Sequence, residues 1–158
     1  MNKDTGQGGL GSIEQVEALA DQLSACADQI HARVMKDIKG HSGPFTDAEQ
    51  ATARALLDDE LLLRQRANSL YADAVTFVVK TLGKPQQHVI ELTAQAAEKI
   101  RKITRIGDVV GLVGALLSLA GAAATGQAAP ILVALAKIDK QVAAVNASAP
   151  KRPPVKPA

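Results

Sequence analysis

The sequence predicts an all-α protein: an up-down bundle of about four helices, two of them long, with an apolar Gly/Ala-rich segment in the third. Three observations carry this. Apolar residues recur at spacings of four and three along most of the chain, the period of an amphipathic helix. They are mostly Ala, Leu, Val and Ile, since aromatics make up only 2% and Trp is absent. Such side chains suit packed helices better than a β-sandwich. Finally, Gly and Pro mark three breaks, at Gly40–Pro44, Gly83–Pro85 and Gly126–Pro130. A chain of 158 residues has room for one domain with a modest core.

Residues 1–11 are polar and Gly-rich and predict a disordered leader. Ser12 with Gln15 has the pattern of a capping box, which opens a first helix over about 12–39. Its seam is Val16, Ala20, Leu23, Ala27, Ile30 and Val34, and Gly40 is placed to cap it in the left-handed conformation. Thr46 and Glu49 form a second capping box. From it a helix over about 46–82 follows Leu56, Leu63, Ala67, Leu70, Ala74 and Phe77 until Gly83. Pro85 suits the first turn of a third helix, over about 85–125, with Val89, Leu92, Ala96, Ile100 and Ile103 on one face. Gly126 ends it and Pro130 opens a fourth, over about 130–146, with Ile131, Leu135, Ile138, Val142 and Val145 in line. The bundle thus covers 12–147. Residues 148–158 form a basic, Pro-rich tail whose two PxxP patterns read as solvated chain.

The net charge of +2 hides an asymmetry. Residues 1–60 hold 11 acidic and five basic side chains, a net −6; residues 61–158 hold five and 13, a net +8. The acidic front and basic back can pair within a bundle, or the basic half can instead meet anionic lipid. Nucleic acid is disfavoured, because three aromatic residues offer little to stack on bases and no zinc-finger or RNA-binding motif is present. Catalytic signatures are missing as well. His31, His41 and His88 lie far apart, and no CxxC, P-loop, GxSxG or dinucleotide fingerprint occurs, so neither an enzyme nor a metal or cofactor is expected. Asp58–Asp59–Glu60 reads as a solvated helix face, and Cys26, at an apolar helix position, as a buried thiol.

The informative segment lies in the third helix. Val109 to Ala136 carry no charge, a run of the length and apolarity of a membrane-span candidate. Within it Gly107, Gly111, Ala115, Ser118 and Ala122 follow at spacings of four, four, three and four, one narrow helix face of small residues. Small residues at that spacing let helix backbones approach closely, as helices do in membranes. Val109, Val113, Leu116, Leu117 and Leu119 form the opposite, apolar insertion face. Lys99, Arg101, Lys102 and Arg105 precede the segment and are placed to meet lipid headgroups. The 17 residues from Val109 to Thr125 reach about 25 Å as a helix, against a hydrocarbon core of about 30 Å, so one span or a partly inserted hairpin is expected.

A small helical protein without a secretory signal peptide, carrying GDVVGLVGALLSLAGAAATG, resembles the small pore-forming effectors of type VI secretion systems. The resemblance covers about residues 105–137 and is architectural. It implies an Hcp tube as carrier, cytoplasmic storage in the producer and export without a signal peptide. It also implies the inner membrane of a rival bacterium as target, homo-oligomerisation on insertion, a membrane-embedded immunity partner, and ion leakage in place of catalysis. The leading competing expectation is a soluble helical-bundle interaction protein, such as an adaptor, chaperone or immunity protein, whose apolar helix is ordinary core; a third is a protein permanently anchored by one span.

Overall fold

The computed structural model describes residues 10–79, 89–102 and 106–148. Five α-helices stand among them: α1 (Ile13–Gly40), α2 (Asp47–Ala72), α3 (Val89–Lys102), α4 (Ile106–Ala123) and α5 (Ala128–Ser148). They close a ring of neighbours. α1 lies against α2 and α3, α2 against α4, α4 against α5, and α5 against α3. One continuous core fills the ring, drawing Leu19, Leu23 and Ile30 from α1, Leu56, Leu63 and Leu70 from α2, Ile100 from α3, Leu116 and Leu119 from α4, and Ile131 and Ile138 from α5. Each such aliphatic side chain stabilises the fold by about 1.5–3 kcal/mol when fully buried.

The helix starts follow their caps. Ser12 Oγ accepts from the backbone N–H of Gln15 at 3.3 Å. At α2 the box is complete: Glu49 N–H donates to Thr46 Oγ1 at 3.1 Å, and Thr46 N–H donates to Glu49 Oε1 at 3.0 Å. The seam predicted for α1 is the buried seam, with Val16, Ala20, Leu23, Ala27, Ile30 and Val34 all at 2% exposure or less.

Four expectations are corrected. The helices number five, not about four, because the stretch expected as one helix over 85–125 holds two, α3 and α4. Gly83 and Pro85 lie outside the described residues, as do Ile103, Thr104 and Arg105 between those helices. Secondly, α2 ends at Ala72, ten residues before the expected end. Asp73 turns the chain (φ −140°, ψ 47°) into a short 3-10 helix, Ala74–Phe77. The sequence there is Val75-Thr76-Phe77-Val78-Val79, all β-branched or aromatic residues of low helix propensity. The extended chain that follows donates from Val79 N–H to the carbonyl of Leu10 at 2.7 Å. This brings in the third correction: Leu10, assigned to the leader, is 1% exposed and belongs to the core. Fourthly, Gly40 is the last residue of α1 in ordinary geometry. His41 is the cap in extended conformation, and the positive φ falls at Gly43 (φ 82°) in the turn. At the other predicted stop, Gly126 does adopt positive φ (66°), and its N–H donates to Ala123 O.

Candidate functional site

α4 and α5 form the least charged part of the molecule. Asp108 is the single charged residue of α4. The two helices are joined by the short turn at Ala124–Gln127 and run antiparallel: Gly111 near the start of α4 meets Gln141 late in α5, and Ser118 and Ala122 share a groove with Pro130, Val133 and Ala134. The α4 side chains split into three faces.

The inward face holds Val109, Leu112, Val113, Leu116 and Leu119, each at 0% exposure. Four of the five residues expected on the insertion face are therefore core residues, while Leu117 is partly buried at the edge. Leu112 was missed, although its spacing of four to Leu116 and seven to Leu119 places it on the same face. A second face meets α5 and contains the small residues expected to pack closely. A Cβ on Gly111 would lie 2.7 Å from Gln141 Oε1, Ala115 is 5% exposed and Ala122 is 8% exposed. Ser118 Oγ donates back to Gly114 O at 3.2 Å. Gly107 stands in the first turn of α4.

The third face is open. Val110 is 42% exposed, and a Cβ added at Gly114 or Gly121 meets nothing within 4 Å. Neighbouring Val133 of α5 is 60% exposed, the second most exposed large apolar side chain described. Glycine inside a helix costs about 1 kcal/mol relative to alanine. At Gly114 and Gly121 the folded bundle makes no use of that small size.

The basic cluster is partly neutralised at home. Arg101 Nη2 donates to Glu98 Oε1 at 2.5 Å, and Lys102 Nζ lies 3.1 Å from the same oxygen. These hydrogen bonds, Arg101's first, hold the Glu98 carboxyl below its ordinary range. Lys99 Nζ donates to Asn146 Oδ1 of α5 at 2.5 Å. Arg105 lies outside the described residues. Glu98 was legible as an i,i+3 and i,i+4 partner and reduces the described cluster to a net +2.

Other titratable groups serve the fold. Only the first two residues of Asp58–Asp59–Glu60 keep appreciable exposure. Glu60 is buried, its Oε1 2.9 Å from His31 Nδ1 and its Oε2 accepting from Arg64 Nε at 2.9 Å, while Arg64 reaches Asp28 at 2.8 Å. Burial is the main cause that raises the Asp59 carboxyl, with the Asp58 charge adding to it. Cys26 is buried between α1 and α3, its thiol 3.5 Å from Thr93 O, and burial pushes it up to about 12. Between α1 and α2, Tyr71 donates to the carboxylate of Asp21; desolvation, then that contact, pushes the phenol up to about 12. His88 lies outside the described residues.

Among the described residues no group of three or more His, Cys, Asp or Glu side chains is arranged to hold a metal ion, and no helix is long and apolar enough to cross a membrane. The 18 residues of α4 rise about 27 Å, short of a hydrocarbon core of about 30 Å. Comparison with protein-family models, with curated proteins and with solved structures gives no match.

Proposed function

We propose that the protein is a membrane-active helical effector, an antibacterial pore-forming toxin of the type VI kind, and that the bundle is the form that carries its α4–α5 hairpin through water. One observation supports this most directly: Gly114, exposed, and Gly121, half-buried at the groove toward α5, sit seven residues apart on α4, and a Cβ at either would meet nothing within 4 Å. Helix interiors retain glycine where a second backbone must come close. In this reading the second backbone belongs to another copy of α4, met after the hairpin leaves the bundle for lipid.

The exchange is between two burials. In water, Val109, Leu112, Val113, Leu116 and Leu119 are covered by the other helices. In a bilayer, acyl chains replace those helices at similar hydrophobic gain. The length of α4 favours a hairpin inserted to part of the bilayer depth or a locally thinned membrane. Lys99, Arg101 and Lys102 attract the protein to an anionic surface, each by about 1 kcal/mol before the offset from Glu98. Oligomers then dissipate ion gradients; an Hcp-type carrier and a membrane-embedded immunity protein are the partners this reading requires.

The test is dye release from anionic vesicles, comparing the parent with Gly114→Leu and Gly121→Leu. A Cβ at either position meets nothing within 4 Å in the bundle, and unchanged helicity and urea midpoint of each variant are the control that folding is retained while close approach is blocked. Leakage by the parent and its loss in the variants is the expected result. An inert parent, or variants as active as the parent, would remove the pore.

The second reading is a soluble interaction protein, favoured by the complete burial of the inward face of α4. It predicts no vesicle binding at all and a partner helix on the Val110–Gly114–Gly121 face.

A further inference from the structure

We propose that the cavity between the end of α1 and the first half of α2 binds an amphipathic monoanion, a medium-length hydrocarbon chain ending in a carboxylate, with Lys36 as the headgroup partner. The cavity measures about 630 Å³. That lies within the roughly 300–1,000 Å³ of small-molecule sites. Its walls include Val34 and Leu56, buried at 2% and 1%, with Ala53 and Phe45 beside them. Thr52 lines it too, but its hydroxyl donates to Ala48 O at 3.0 Å, so the walls between the polar residues suit a hydrocarbon chain.

The sign of the headgroup follows from the charges around the opening, which are Lys36, Asp37, His41 and Glu49. Asp37 already accepts from Arg33 Nε at 3.2 Å. Glu49 accepts from Thr46 N–H at 3.0 Å and faces His41 Nε2 at 2.7 Å. His41 Nδ1 is taken up by Gly43 O at 2.9 Å. Both carboxylates and both imidazole nitrogens are thus engaged within the protein. Lys36, exposed at the same opening, makes no ion pair among the described residues. His41 faces two acceptors, which only the imidazolium satisfies with both of its N–H groups; in that form it balances Glu49 as Arg33 balances Asp37, and the charge left for a ligand is one ammonium, whose complement is one anion. The site is separate from the α4–α5 hairpin and does not depend on how that hairpin acts.

Titration of the full chain with sodium decanoate below its micellar concentration, followed by NMR, tests this, with decyltrimethylammonium and decanol as controls. Saturable shifts centred on Val34, Ala53 and Leu56 are expected. Lys36→Gln, a change at an exposed position, should weaken decanoate binding about fivefold, the scale of an exposed ion pair, and leave decanol unaffected. Ala53→Phe should fill the cavity and abolish binding. Equal binding of the ammonium amphiphile, unchanged affinity in Lys36→Gln, or shifts centred on α4 and α5 would each overturn the assignment. So would shifts at the cavity that require vesicles and fail to appear with free decanoate.

Discussion

The α1–α2 pair and the α4–α5 pair are both antiparallel helices on a short turn, but they are held by different means. α1 and α2 are fastened by named polar pairs as well as by packing: His31 and Arg64 on Glu60, Arg64 on Asp28, Tyr71 on Asp21, and His41 on Glu49 across the turn. α4 and α5 meet mainly through small residues facing Gln141, Val133 and Ala134. Directional pairs fix one register and lose their value when partners separate. Apolar packing is indifferent to what provides the cover. In the proposed function the second pair is the one that changes surroundings and the first the one that stays put.

The sharpest break of this contrast is truncation on the core face of each pair. Leu23→Ala in α1 and Leu116→Ala in α4 each leave a cavity at 0% exposure and should cost about 2–5 kcal/mol in urea unfolding. Hydrogen exchange should separate them: amides of α4 and α5 are expected to open at lower free energy than those of α1 and α2 in the parent. Equal protection would mean that the hairpin has no independence. Next in size is Glu60→Ala, which takes the carboxylate from His31 and leaves Arg64 with Asp28 alone. Removing one partner of a buried pair costs about 3–5 kcal/mol, but both partners here are more than a third exposed, so about 2 kcal/mol is expected. Gly114→Ala and Gly121→Ala should raise stability by up to about 1 kcal/mol each, since the added methyl meets nothing. Gly111→Ala should change little, as the intruding atom is the flexible end of Gln141.

The smallest effect is a pH dependence. The hydrogen bond to Gly43 O, then contacts with Glu49, raise His41, while hydrogen bonds from Thr46 and then the contact with His41 lower Glu49. A raised histidine contributes below its unfolded pKa and loses that contribution as pH rises through the folded one. A lowered carboxylate contributes above its unfolded pKa and loses it as pH falls through the folded one. The turn is firmest between those limits. His41→Ala should therefore destabilise more at about pH 5.5 than at about pH 8.5 in matched urea titrations.

Much of the architecture was legible in the residues. The seam of α1, both N-caps and the Gly126 stop follow from local chemistry, which acts over one helical turn. The end of α2 was less so, because Val75–Val79 continues an apolar pattern while its β-branched residues resist the helix, and the decision came from a hydrogen bond to Leu10 far away in sequence. The faces of α4 posed a related difficulty. Its apolar residues surround the helix, so periodicity alone does not choose which side meets the core. The small residues at 111, 115 and 122 proved to face α5, and the open glycines are those at 114 and 121.

Cys26 gives the chain a built-in clock. As the sole sulfhydryl, sealed between α1 and α3 at 0% exposure, it is shielded from alkylating reagents until those helices part. Its labelling rate therefore counts separations of α1 from α3. Vesicles that draw out the α4–α5 pair while leaving that rate unchanged would show the hairpin departing from an intact remainder; acceleration would show the whole assembly coming apart together.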